Sequence, residues 1–316
     1  MVFGLDRGFV TDQFLFAIEV PDAKRYTGEN TPASPTKRIA LMRTIRLHSK
    51  KQIEAFLRKS VYLHIYAIGD LDDFFWRNTA YYALKDGNEI QAIALLYAEL
   101  PLTTVHAISE QKGVMQQLLQ SIFHILPNSF NAHLSPGVQE VFKGQYEVRS
   151  YGKHYKMALS SKSSLYDVDC SQVVRLTKDD LDEIFRLYKA GYPRNWFDPR
   201  MLETKQYFGI RLKNRLISIA GIHVYSEEYR VAALGNIVTH PDYRGNGFAK
   251  SVTARLCQSL SASVEHIGLN VKADNAAAIS LYEKLGFEIV GPYYECMVFS
   301  RQCQRRVEPP NCPCSP

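Results

Sequence analysis

Apolar residues recur along this chain with periods of two and of about 3.6, and clusters of turn formers punctuate them. Arg43 to Leu47 predicts a strand, Lys50 to Lys59 a helix and Tyr62 to Phe75 a second, apolar helix. Two strands, Ala80 to Leu84 and Ile90 to Leu96, meet at Asp86-Gly87-Asn88, a strong hairpin signal. A strand from Thr104 to Ile108, a helix from Glu110 to Ile125 and a strand from Phe130 to Leu134 follow, then a short helix from Val138 to Phe142 and an extended segment from Tyr146 to Leu159.

The second half repeats this succession in different letters. Val173 to Leu176 predicts a strand, and Asp179 to Gly191 and Pro199 to Thr204 predict helices. Three strands span Gln206 to Leu212, Leu216 to Tyr225 and Arg230 to Thr239, the first pair turning at Lys213-Asn214. From Phe248 a helix begins, with Val252, Leu256 and Leu260 on one face. His266 to Lys272 is a buried strand, Ala276 to Leu285 a helix stopped by Gly286, and Glu288 to Phe299 a last extended segment. Two tandem copies of one mixed α/β topology with mainly antiparallel strands, over residues 43–160 and 171–300, are the simplest account. Residues 1–42 show no sustained period and contain the turn-former run Gly28 to Pro35, so a flexible arm is expected there. Residues 301–316, rich in Pro, Arg and Gln, read as a disordered tail.

The stretch from Leu234 to Lys250 carries the chemistry. A β-branched strand end is broken by Pro241, and Gly245 and Gly247 permit the turn from which the helix at Phe248 opens. Such a helix start presents unpaired N–H groups and the positive end of its dipole, a phosphate-binding arrangement over Gly245 to Ala249. A Walker loop ending at Lys250-Ser251 would need glycine where Arg244 and Ala249 stand, and a dinucleotide fingerprint from Gly245 would need its third glycine at Lys250. Neither fits.

Arg244, Gly247 and Ala249 form Arg-x-x-Gly-x-Ala, which resembles the loop of the GNAT N-acyltransferase superfamily. Downstream, the strand His266 to Lys272, Asp274-Asn275 and a helix ending Tyr-Glu-Lys-Leu-Gly-Phe resemble the second signature of that family. The resemblance is close at letter level over the last third of the chain and topological over most of it. It implies two tandem GNAT-like folds, with cofactor letters in the second copy alone. At the matching point of the first copy stands Ser-Glu-Gln-Lys-Gly, where Glu110 would repel a phosphate.

The family further implies that the amides of Arg244, Gly245, Asn246, Gly247, Phe248, Ala249 and Lys250 hold the pyrophosphate of acetyl-CoA, the co-substrate. Ile237, Val238 and Thr239 would face the thioester, and Asn275 the pantetheine arm. Tyr282 is seven residues beyond Asn275, on about the same helix face, and would be the general acid. A phenol of reference pKa about 10 can donate to a thiolate of roughly 8.5. The bland alternatives are a helix cap for Asn275 and core packing for Tyr282. The glutamate that many relatives carry upstream is missing from Ala232-Ala233-Leu234-Gly235-Asn236. Tyr225, Glu227, Glu228, His223 and His240 are candidates for proton uptake, as is a water chain with Asn236 positioning the amine. The crowded loop Tyr192 to Pro199 reads as a ligand lid or a packed turn. In it Arg194 and Trp196, with Tyr225 nearby, are candidate acceptor contacts, Arg194 for a carboxylate. Asp70, Asp72, Asp73, Phe74, Phe75 and Trp76 are either a solvated helix end beside an aromatic core or an acceptor surface.

Composition narrows the rest. The 316 residues carry 46% hydrophobic content and a mild net charge of +6, which does not argue for nucleic acid. No apolar run of about 18 residues or secretory signal is present, so a cytoplasmic protein without membrane contact is expected. The six cysteines lack paired Cys-x-x-Cys spacing, and no metal is expected. The function expected from the resemblance is acetyl transfer from acetyl-CoA to a primary amine of a small molecule or peptide by direct attack. A non-catalytic acyl-CoA sensor and a transferase of bulkier acyl or aminoacyl groups are the alternatives. The oligomeric state is open, a homodimer included.

Overall fold

Two halves of like topology share one sheet because each contributes its last strand to the other. The structure, a computed structural model, describes residues 15–18, 40–99, 102–193 and 195–301. In the first half β1 (Leu15–Ile18) and β2 (Ala40–Leu47) precede α1 (Lys50–Leu57), α2 (Ile65–Gly69) and α3 (Asp73–Trp76). Strands β3 (Thr79–Asp86), β4 (Glu89–Glu99) and β5 (Leu102–Ala107) lead to α4 (Lys112–Ser121), β6 (Ser129–Leu134), a 3-10 turn (Val138–Phe142) and β7 (Tyr146–Leu159). The short α5 (Ser163–Tyr166) bridges to the second half. There β8 (Val173–Arg175), α6 (Leu181–Gly191) and a 3-10 turn (Pro199–Thr204) precede β9 (Phe208–Leu212), β10 (Arg215–Ser226) and β11 (Val231–Thr239). Helix α7 (Phe248–Leu260), β12 (His266–Lys272), α8 (Ala276–Lys284) and β13 (Phe287–Ser300) complete it.

Three local readings of the sequence change. The helix expected from Tyr62 to Phe75 is two short ones, because the Asp72 carboxylate accepts from Phe74 N at 3.1 Å and so starts a new helix. Strand β2 begins at Ala40 rather than Arg43. Leu15–Ile18, inside the stretch expected as an arm, pairs antiparallel with it, Leu15 opposite Arg43 and Ile18 opposite Ala40. Four residues are too few to show a period of their own.

The sheet order among the described residues is β1-β2-β3-β4-β5-β6-β13-β7-β12-β11-β10-β9-β8. In each half one pair is parallel, β5 with β6 and β11 with β12, as two copies of one topology require. Strand β7, which ends the first half, pairs with β12 of the second, while β13, which ends the second, pairs with β6 of the first. The repeat boundary near residue 160 therefore does not separate two independent sheets.

Helices of the first half also cover the second. Ile65, Tyr66, Ile68 and Leu71 share one core with Val224, Tyr229, Val231 and Ala233. Arg58 Nη2 donates to Tyr229 O at 2.8 Å, and Ser226 Oγ donates to Asp72 at 2.7 Å. Gly69 rests directly on β10, where an added Cβ would lie 2.0 Å from Val224 Cγ1. Gly69→Val is expected to destabilise the protein by about 1–3 kcal/mol, as overpacking does. An unchanged urea midpoint would count against this docking. Among the described residues no helix is long and apolar enough to cross a membrane.

Candidate active site

Strand β11 runs beside β12 only from Val231, opposite His266, to Leu234, opposite Leu269; past that point no pairing continues. A bulge accompanies the parting. Between Gly235 and Val238 β11 spends one residue more than β10 does between Gly221 and Ile219, and Asn236 absorbs it at φ 54°. The Asn236 side chain holds that shape. Its Nδ2 donates to Tyr207 OH at 3.0 Å and points at Met201 Sδ at 3.7 Å. Its Oδ1 accepts from Trp196 N at 3.3 Å and lies 3.3 Å from His223 Nε2. Its carbonyl accepts from Tyr188 OH at 2.9 Å. His240 N donates back to Ile217 O at 2.8 Å. Strand alternation then turns the N–H groups of Ile237 and Thr239 away from β10, into the gap.

The loop beyond offers a second set of donors. Gly245 and Gly247 take φ of 81° and 82°, a conformation that glycine adopts without strain, and a Cβ on either would meet no atom within 4 Å. Gly247 brings no side chain to cap α7, whose first internal bond is Ser251 N to Gly247 O at 3.1 Å. The amides of Phe248, Ala249 and Lys250 are left without a partner in the helix, at the positive end of its dipole. Asn246 Nδ2 steadies the turn on the carbonyls of Tyr243 and Arg244, both at 3.2 Å. Arg244 Nε donates to Thr239 O at 3.3 Å. Exposed main-chain donors at a helix start suit an anion in charge.

Across the gap Asn275 caps α8, its Oδ1 accepting from Ala278 N at 3.2 Å, which leaves its amide nitrogen for a ligand. Tyr282 is 8% exposed and stands edge-on to Phe287 at 5.9 Å. Burial raises its hydroxyl pKa, reinforced by Cys257 and Tyr192, so the phenol keeps its proton.

Among the described residues the first half shows no such parting of β5 from β6. Strands β5 and β6 pair as far as Ala107 and Leu134, then Ser135 N donates to Ala107 O at 3.2 Å and Ser109 N to Ser135 Oγ at 2.9 Å. At the start of α4 the Gln111 amide is taken by Ser109 Oγ at 3.0 Å.

A model of the Acetyltransferase (GNAT) family matches residues 173–287. Acetyltransferase SG1711 of Sodalis glossinidius is 37% identical over 119 residues, 35% of this chain and 82% of its own length. The chain belongs to the GNAT acetyltransferase family. The [ribosomal protein bS18]-alanine N-acetyltransferase of Salmonella typhimurium is 29% identical over 117 residues, 35% of this chain and 77% of that enzyme. In fold, an X-ray structure of a Drosophila protein aligns with a TM-score of 0.60 at 13% identity, over 81% of this chain and 98% of its own. GNAT enzymes use acyl-CoA, and the gap, loop and α8 lie within or at the edges of the matched region.

Several expected GNAT site residues sit elsewhere or do other work. Asn236 has all four side-chain hydrogen-bond positions occupied, so it pins the bulge rather than holding an amine. Tyr225 meets Glu227 and, at 3.0 Å, Ser263 Oγ beyond the end of α7, at the opposite end of β10 from the gap. His240 is engaged by Arg215 Nη2 at 2.8 Å and by Asp242 N at 3.3 Å within the turn. His223 alone of the candidate bases named above touches the bulge. Trp196 anchors through its backbone and leaves its side chain exposed; Arg194 lies outside the described residues. Of the acidic and aromatic cluster, Asp72 meets the second half by accepting from Ser226 Oγ at 2.7 Å, while Asp73 pairs with Lys50 and Trp76 stacks on Tyr81 at 5.7 Å within the first.

One group of side chains escaped the sequence reading. Glu295 on β13 lies opposite His133 on β6, and Tyr293 opposite His154 on β7. Tyr293 OH donates to Glu295 at 2.6 Å. Lys156 on β7 is paired with Asn270 of β12, beside the gap. Tyr66 of α2 lies 6.3 Å from the His223 ring and links this row to the bulge.

Proposed function

We propose that the second half transfers an acetyl group from acetyl-CoA to a primary amine of a small molecule or peptide by direct attack. The observation that carries this reading is the opening between β11 and β12 that leads from the uncapped start of α7. Main-chain donors at both ends suit one extended molecule with an anionic head and a carbonyl tail. The amides from Gly245 to Lys250 would bind the pyrophosphate, and Asn275 would meet the pantetheine arm. The Ile237 and Thr239 N–H groups would polarise the carbonyl. Tyr282 would give its proton to the departing sulfur, and His223 would pass the amine's proton outward. Burial lowers the His223 pKa, so it is neutral, and with its Nε2–H given to Asn236 Oδ1 the nitrogen left to accept a proton is Nδ1.

Thiol release from acetyl-CoA, measured across a panel of primary amines, tests the proposal. Amine-dependent release supports it; coenzyme binding with no release by any amine would make the chain a sensor instead. Gly247→Trp fills the open space over the loop and is expected to weaken coenzyme A binding about 10- to 100-fold, about 1.4–2.7 kcal/mol. Calorimetric titration with coenzyme A would show it, and an unchanged dissociation constant would remove the loop from the site.

A further inference from the structure

Lys156 is 2% exposed, yet among the described residues no hydrogen bond or ion pair reaches its ammonium. Instead Nζ lies 5.2 Å from the ring centre of Tyr66 and 5.0 Å from that of Tyr293. Cation–π contact offsets only part of the cost of removing an ammonium from water, and burial lowers its pKa to about 8. Two further buried polar atoms nearby lack partners: Asn270 Oδ1, on the residue paired with Lys156, and His133 Nδ1. The ammonium borders a small cavity that it shares with Tyr66 and His106. Through Tyr66 it connects to His223 and the bulge where the amine would attack.

An unpaired cation at this depth calls for an anion, and its surroundings select the kind. His106 and His133 beside it have lowered pKa values and are neutral, so neither competes with Lys156 for an anion. Glu295, close enough to hold the Lys156 pKa up, would repel a doubly charged phosphate. We infer that Lys156 seats a carboxylate of the acceptor, so that the substrate is an amino acid or another amine bearing one carboxylate beyond the reacting nitrogen. This rests on the acetyl-transfer reading. It also gives the strand exchange a purpose, since β7 of the first half sets Lys156 beside Asn270 of β12, at the edge of the gap.

The test compares amino carboxylates with their carboxamides as acceptors for the full chain and for Lys156→Met. The intact protein is expected to show a KM about 10- to 100-fold lower for the carboxylate, as charge-assisted hydrogen bonds of about 1.5–3 kcal/mol imply. In Lys156→Met that preference disappears through KM for the carboxylate, while carboxamide turnover and coenzyme A affinity stay as they were. Lys156→Arg, which keeps the charge, retains the preference. Equal KM values in the intact protein, or a preference that survives Lys156→Met, would overturn the assignment. If no amine releases thiol, the acetyl-transfer reading fails first, and titration of the same carboxylates into the protein saturated with coenzyme A decides the subsite separately. Binding lost in Lys156→Met sustains it, and no binding by the intact protein removes it.

Discussion

Tyr282→Phe will lower kcat about 10²- to 10⁴-fold and leave the dissociation constant for acetyl-CoA unchanged. The substitution deletes one oxygen and keeps the ring against Phe287, so it tests the proton and not the packing. A thiolate of pKa roughly 8.5 leaves poorly into an apolar wall, and a phenol held protonated by burial has a proton to give it. Because the folded pKa of Tyr282 is raised above about 10, its proton is present through the neutral and mildly alkaline range. No alkaline limb in kcat below that point should trace to this residue. Single-turnover measurement of thiol release separates the chemical step from product release. A kcat equal to that of the intact enzyme would return Tyr282 to the role of a core residue.

Local chemistry was legible in the letters where one short stretch determines its own shape. Gly245 and Gly247 need left-handed backbone whatever surrounds them, and Asn275 caps the helix it precedes. The repeated order of elements could be read for the same reason: each strand and helix carries its own period. Partnership between strands is a different matter. Tyr146–Leu159 and Phe287–Ser300 read as extended segments, and nothing in an extended segment says which strand it will lie beside. The exchange of these two strands, and with it the meeting of Lys156, Tyr293 and Glu295, therefore had no sequence signal. Asn236 shows the converse error. A polar residue at the right place on β11 suggested contact with the amine, but a positive-φ bulge has to be held, and its amide is consumed in holding it. The absence of a carboxylate on β11 was visible from the start. The base proposed in its place, His223, meets a Tyr66 that comes from the other half of the chain.

The half-buried His64 and His133 set the second large effect, a loss of about 3–4 kcal/mol in stability between pH 7 and pH 5. Desolvation is the main cause that lowers His64 to about 4 and His133 to about 3, with the Lys156 charge adding to both. In the unfolded chain each titrates near 6.5. Over this interval the unfolded state binds protons that the folded state refuses, so stability falls as pH falls, by about 1.4 kcal/mol per unit for each such residue below 6.5. The contribution is fully present above 6.5 and is lost on the way down to the folded values near 4 and 3. His106 and His223 are shifted the same way and add to the trend. Against a total stability of about 5–15 kcal/mol this is a large fraction. Urea unfolding at the two pH values measures it directly. Replacing His133 by Asn should remove about half of the loss. A flat profile would mean that these imidazoles take up protons while folded, which Lys156 beside them and the apolar walls of the seam oppose.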